Sequence, residues 1–247
     1  MAFQKGSGCL KLLGEEGDSV FEDKFNLNLQ ENIFVAKKLL VENIYHSARL
    51  EGCNVTFPQT QTILDGVNVG SVRLDDIQTI LNLRDAWRFI LDSIGSPLDL
   101  EYICKINYHV SRNESLSWGV LRTGDVGISG TNYVPDVPLR NEVVKELEGI
   151  LSAPTATSRA IKLFLWGCRS QLFWDGNKRT ATLMANKLLI AEGKGILSIR
   201  EGNLLEFNER LTRFYDTNDY SNVDSFLYNN CIRGMLVKRE RREISRS

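Results

Sequence analysis

The chain has 247 residues, 43% of them hydrophobic, with 30 basic against 31 acidic side chains and a formal net charge of −1. A charged fraction of 25% at near-zero net charge excludes an intrinsically disordered chain, and without a basic excess the overall field does not bind nucleic acid. No apolar run approaches the roughly 18 residues of a membrane span. The opening MAFQKGSGCLKLLGEEGDSV lacks the apolar stretch of a secretory signal. The expectation is a soluble, cytoplasmic protein with no nucleic-acid or membrane partner, built as one large domain or two small ones.

In chain order, helical period dominates. From Leu29 to Leu50, Ile33, Phe34, Leu40, Val41, Ile44, Tyr45 and Ala48 form a wide apolar stripe, and Gly52 follows as a C-terminal stop. Thr56-Phe-Pro-Gln has the form of a capping box and predicts a short helix to about Gly66. Helical stripes recur from Leu74 to Ile94 and from Leu98 to Val110. Trp118 to Pro138 then breaks the pattern: Gly124, Gly127 and Gly130 lie among Val, Ile, Thr and Tyr, predicting a small hairpin or flap as the only strand-like piece. Helices resume at Leu139 to Leu151, Ser158 to Gln171, Asn177 to Ala191, Leu204 to Phe214 and Ser221 to Met235, before a polar, mostly basic tail. The reading is an all-α domain with one β-flap, without internal repeats.

Cys9, Cys53, Cys104, Cys168 and Cys231 are odd in number, far apart and without a CxxC pair, so they read as buried free thiols on helices. Two histidines, His46 and His109, are too few for a His-rich metal site and read as structural or surface helix residues.

The chemistry concentrates in FWDGNKRT, Phe173 to Thr180. Asp-Gly-Asn is turn chemistry, and an amphipathic helix starts at once with Lys178, Leu183, Asn186 and Leu189. A helix start presents free N–H groups and a positive dipole end. Lys178 and Arg179 add two cations that suit a phosphate chain, and Asp175 offers an oxygen of the kind magnesium accepts. Local physics leaves a second reading equally open, an ordinary turn and helix cap with solvated charges.

FWDGNKR resembles the signature of the Fic (Fido) family, His-x-Phe-x-Asp/Glu-Gly-Asn-Gly/Lys-Arg, at Phe173, Asp175, Gly176, Asn177, Lys178 and Arg179. Ser47-Ala-Arg-Leu-Glu51-Gly52 is similar to the inhibitory Ser/Thr-x-x-x-Glu-Gly/Asn motif of many Fic proteins, and Arg122 to Pro135 resembles the family's flap. The similarity runs from about Leu29 to Cys231. It implies an all-α Fic/Fido helical core with a short β-hairpin flap. Residues 1–28 become an N-terminal extension and 29–235 the Fic/Fido domain, with an inhibitory helix at about 29–52, a flap at about 119–135 and a basic tail at 236–247.

The same resemblance implies an ATP and magnesium site and transfer of AMP to a hydroxyl of a target protein, or of the chain itself. Asp175 would hold magnesium. Gly176, Asn177 and Lys178 would line the anion hole, and Arg179 would neutralise the outer phosphates. Ser47, Glu51 and Gly52 would form the inhibitory element. Gly130, Thr131, Asn132, Tyr133 and Val134 would clamp an extended target segment by strand addition. Homo-oligomer formation stays open, because a dimer seam and an exposed helix face share one pattern.

Three departures bear on activity. Gln171 stands where the family has its general-base histidine, and a glutamine amide holds no proton near neutral pH; losing a general base typically costs ~10²–10⁴ in rate. Thr182 stands where many relatives carry a second arginine that pairs with the inhibitory glutamate, a role Arg179 could take over. Lys178 replaces the commoner glycine, as in the Doc-type branch, which transfers phosphate. Three readings follow: an impaired AMP transferase, a catalytically inactive nucleotide- or protein-binding regulatory module, and removal of AMP with Glu51 directing a water.

Overall fold

A computed structural model of the chain describes residues 12–13 and 19–236. Ten helices carry the fold among them. After a short antiparallel pair, β1 (Leu12–Leu13) with β2 (Ser19–Val20), come α1 (Leu29–Lys38), α2 (Leu40–Leu50) and α3 (Phe57–Leu64). Next are α4 (Leu74–Asp92), α5 (Leu100–Ser111), α6 (Arg140–Leu151), α7 (Ala156–Ser170) and α8 (Asn177–Ala191). The chain then runs through β3 (Ile196–Leu197), α9 (Leu204–Thr217), α10 (Val223–Cys231) and β4 (Ile232–Arg233).

Local chemistry accounts for several boundaries. Asn28 and Glu31 close a capping box at α1, and Thr56 and Gln59 close another at α3 with proline in the first turn, as the sequence predicts. Asp99 and Thr155 cap α5 and α7 through their side chains.

The centre of the molecule is α8, buried around nearly its whole circumference rather than on one stripe. Its most extensive packing is against α7. Gly167 permits that approach, since a Cβ there would lie 2.7 Å from Met184 Cε and 2.9 Å from Ala181 Cβ. Buried Asn186 on α8 donates to the Leu197 carbonyl and accepts from the Leu197 N–H, fixing β3 against the helix.

Four expectations need correction. The stripe from Leu29 to Leu50 is two helices broken at Leu39, because α1 packs on α8 while α2 packs on α3 and α4. The flap carries no strand: residues 118–139 are turn and extended loop without a β partner. The strands fall elsewhere, with Ile196 opposite Arg233 and Leu197 opposite Ile232, so the last helix stops at Cys231. Among the cysteines, Cys53 lies in the loop after α2 and Cys104 is only half-buried; Cys168 and Cys231 are buried on helices, and Cys9 lies outside the described residues. Of the N-terminal extension only 12–13 and 19–28 are described, and the basic tail beyond 236 lies outside. No helix among the described residues is long and apolar enough to cross a membrane.

Candidate functional site

The turn between α7 and α8 is laced by two amides. Gln171 ends α7 in the left-handed region, φ +45° and ψ +57°. Its Nε2 donates to the Cys168 carbonyl at 2.6 Å, and its Oε1 accepts from Asn177 Nδ2 at 3.0 Å. Asn177 Nδ2 also donates to the Phe173 carbonyl at 2.8 Å, while its Oδ1 accepts from the Phe173 N–H at 2.9 Å. Gly176 precedes α8 at φ +72°, where a Cβ would sit 2.3 Å from Ser111 Oγ and 2.7 Å from Val110 Cγ1. Both the conformation and the space demand glycine. No side chain caps the start of α8, so its positive end is left for another acceptor.

Charged groups crowd that helix start. The Asp175 carboxylate is nearly half exposed and its Oδ1 accepts from the Gly176 N–H at 2.6 Å. Buried Arg179 gives Nη1 to Glu114 Oε2 at 2.7 Å and to the Val110 carbonyl at 3.1 Å, and Nη2 to Asp175 Oδ2 at 3.4 Å. Burial pulls the Arg179 guanidinium down, but Glu51, Glu114 and Asp175 together hold it above its ordinary value. Glu51, at the end of α2, lies 3.9 Å from Lys178 Nζ and 4.0 Å from Arg179 Nε. Glu51 Oε1 and Arg179 Nε are buried without a hydrogen-bond partner among the described residues. Lys178 Nζ also donates to the Leu50 carbonyl at 3.3 Å. Ser47 is buried on α2, and Gly52 takes φ +84° just past its end. Thr182 does not reach across to Glu51; its hydroxyl donates to the Lys178 carbonyl of its own helix at 2.8 Å.

The flap is held from inside by Arg122, whose side chain is fully buried. Its guanidinium donates to the carbonyls of Gln171 at 2.6 Å, Gly124 at 2.6 Å and Pro135 at 3.0 Å, and to that of Asp136. Between these anchors Thr131, Tyr133 and Pro135 turn inward while Asn132 and Val134 are exposed, an extended alternation without a partner strand. Gly130, at φ +85°, turns the chain just before it. Arg169 lies over the Tyr133 ring, 3.8 Å from its centroid, and the Thr131 hydroxyl donates to Asp216. Beside this segment is a cavity of about 540 Å³, lined among others by Tyr133, Asp136, Glu142, Trp166 and Arg169.

Comparison with known proteins agrees with this architecture. A family model described as the Fic/DOC family matches residues 97–189, a span that holds the α7–α8 turn, Arg122 and the flap. Residues 97–189 form a Fic/DOC domain. It is similar to the protein adenylyltransferase Fic of Drosophila willistoni, at 25% identity over 174 residues, covering 64% of this chain and 33% of that protein. The Drosophila melanogaster protein of the same name is also 25% identical, over 64% of this chain and 34% of its own length. The chain therefore aligns with about a third of these relatives. Among solved structures, Fic-1 of C. elegans superposes with a TM-score of 0.69 at 19% identity, covering 81% of this chain and 66% of that one. A Fic domain containing signaling protein from Bacteroides thetaiotaomicron gives 0.66 at 21%, covering 83% and 85%. At such identities these superpositions establish a shared helical fold.

In the structure the predicted site residues divide into two groups. Gln171, Asp175, Gly176, Asn177, Lys178, Arg179 and Glu51 converge on the start of α8. Gly130 to Val134 form the extended segment beyond Arg122, with Thr131 and Tyr133 fixed on α9 and α7. Asn107 and Glu114 escaped the sequence reading, which placed Arg122 in the flap without its anchoring role. Asn107, inside the apolar stripe of α5, joins the Asp175 carbonyl to the Gly119 N–H. Glu114 fastens Arg179, and Arg122 fastens the flap. A buried-stripe position occupied by asparagine was the one available signal, because an amide there needs partners.

Proposed function

We propose that this Fic domain binds ATP with magnesium at the start of α8 and belongs to the protein AMP-transferase class, with a target protein or the chain itself as acceptor and transfer impaired by Gln171. One observation carries the reading: an uncapped helix start opened by Gly176, with Lys178 and Arg179 on its first turn and the half-exposed Asp175 carboxylate beside it. The donor set fits the cofactor. Magnesium is usually held by one or two carboxylates plus substrate phosphates, and Asp175 supplies one. The bound ion would neutralise phosphate charge.

This chain's own residues would do the rest. The N–H groups of Asn177 and Lys178 would face phosphate oxygens, with the Asn177 side chain keeping the turn in shape. Arg179 would oppose the outer phosphates through the Nε edge that Glu114 leaves free. Glu51 sits where those phosphates would approach, against Lys178 and Arg179, which supports an inhibitory role for Ser47, Glu51 and Gly52. The extended flap from Gly130 to Val134 would present its main chain to a target segment. Unpaired Cys53, Cys104, Cys168 and Cys231 accord with a reducing, cytoplasmic setting.

A second reading, an inactive nucleotide- or protein-binding regulator, is favoured by Gln171 itself. Both ends of its amide are spent within the turn, on Cys168 and Asn177, leaving no base for an incoming hydroxyl. Labelled ATP separates the two. Binding of ATP–magnesium that strengthens in Glu51→Gly and disappears in Asp175→Ala is expected under both. Transfer of AMP that rises at least ~10-fold in Gln171→His supports the transferase. Binding without transfer in that variant supports the regulator, and no binding even in Glu51→Gly would sink the nucleotide site.

A further inference from the structure

We propose that Glu114 is a positioning residue for Arg179, setting which edge of the guanidinium faces the nucleotide site; its consequence for nucleotide rests on the ATP reading above. Glu114 lies in the loop after α5, outside the signature segment, with its side chain only 13% exposed. Its carboxylate is fully engaged. Oε2 accepts from Arg179 Nη1 at 2.7 Å and Thr79 Oγ1 at 3.1 Å, and Oε1 accepts from Asn82 Nδ2 at 2.6 Å. Asn82 also donates to the Arg112 carbonyl at 2.8 Å, which ties the loop itself to α4. Glu114 is therefore held by α4 before it holds Arg179.

The geometry at Arg179 follows from that grip. Nη1 is occupied by Glu114 and the Val110 carbonyl, and Nη2 touches Asp175. Nε alone has no hydrogen bond, and it is the atom that faces Glu51 at 4.0 Å. A guanidinium is a rigid planar fork, so fixing one nitrogen fixes the direction of the others. Without Glu114 only the Val110 carbonyl would hold Nη1, at 3.1 Å, too little to stop the side chain from turning toward an anion at the start of α8 or collapsing onto Asp175. The carboxylate also adds one negative charge behind the arginine. Glu114 thus trades some attraction for anions against a defined orientation.

Two measurements on the full chain test this. Side-chain nitrogen NMR of Arg179 reads rotation of the guanidinium with no nucleotide present. Separate, slowly exchanging Nη resonances are expected in the unaltered protein, and their collapse in Glu114→Ala; unchanged resonances in that variant would overturn the proposal. Calorimetry in the Glu51→Gly background reads the consequence. Glu114→Ala should weaken ATP–magnesium at least ~10-fold, a loss of about 1.4 kcal/mol, while AMP, which lacks the outer phosphates, changes less than ~3-fold. Glu114→Gln, keeping one carbonyl oxygen for Nη1, should recover most of the ATP affinity. Equal losses for ATP and AMP would mark mere structural damage and overturn the proposal. Should Glu114→Ala fail to fold, Glu114→Asp withdraws the carboxylate by one methylene and carries both readouts. If Glu51→Gly binds neither nucleotide, the ATP reading falls, and the NMR still decides whether Glu114 positions Arg179.

Discussion

Asn107 reaches from α5 to the carbonyl oxygen of Asp175, donating through Nδ2 at 2.9 Å across 68 residues of chain. The same amide accepts from the Gly119 N–H at 2.9 Å, so one fully buried side chain sets both the α7–α8 turn and the root of the flap. Ser111 Oγ, one turn further along α5, donates to the same Asp175 carbonyl at 3.0 Å.

Replacing Asn107 by leucine keeps the volume and removes both of its bonds, with two longer ones to Ser111 Oγ and Thr180 Oγ1 at 3.2 Å. The Gly119 N–H is then left without its partner, and a buried unsatisfied group costs about 1–3 kcal/mol. A loss of about 2–3 kcal/mol in urea unfolding is expected, and, on the proposed nucleotide reading, weaker ATP–magnesium binding with it. Full stability in Asn107→Leu would refute the assigned role.

Arg122→Lys retains the charge but not the fork. A single ammonium cannot span the carbonyls of Gln171, Gly124, Pro135 and Asp136. The flap should loosen while the helical core stays folded. Limited proteolysis should cut between residues 123 and 134 roughly 10-fold faster than in the unaltered chain, as expected of a locally destabilised segment. An unchanged cutting rate would mean that Tyr133 on Arg169 and Thr131 on Asp216 suffice to hold it.

Gly176→Ala meets two separate penalties. The left-handed conformation costs roughly 1–2 kcal/mol for a residue with a Cβ, and that Cβ would press on Ser111 Oγ. Adding Ser111→Gly relieves the contact with the hydroxyl but leaves the conformational cost and the 2.7 Å approach to Val110 Cγ1, and it removes the Ser111 hydrogen bond to Asp175. Thermal unfolding should therefore fall sharply in the single variant and recover only in part in the double variant.

Stability should fall as the pH drops from about 7.5 toward 5.5. Burial holds both His46 and His109 below the ordinary histidine range. An unfolded chain then binds more protons than the folded one as pH falls through the ordinary histidine value of ~6.5. The stabilisation is complete above that value and is lost progressively toward and through the folded-state values. Urea unfolding midpoints across this range should decline, and His46→Gln with His109→Gln should flatten the decline. An identical slope in that variant would place the pH dependence in other groups.

Much of this molecule is local in origin. Apolar spacing marked the helices, Thr56 and Gln59 marked the start of α3, and the turn residues Asp175, Gly176 and Asn177 marked the helix start where charged groups gather. These features depend on neighbours within a turn or two, so a linear chain displays them. The break at Leu39 is different: nothing in the stripe signals it, because it arises from α1 and α2 serving different partners. The flap misled for a related reason. Its β-branched residues and glycines favour extended chain, and extended it is, but a strand needs a hydrogen-bonding partner and the flap is instead tied to Arg122.

The pairings that shape the site are all long-range. Glu114 with Arg179, Glu51 with Lys178, and Asn107 with Asp175 join residues separated by 65, 127 and 68 positions respectively. Charge and amide chemistry made each of them able to pair. Which one did so was decided by how α2, α4, α5 and α8 pack, since burial removes water as the alternative partner and leaves each buried polar group to find whatever the fold brings beside it.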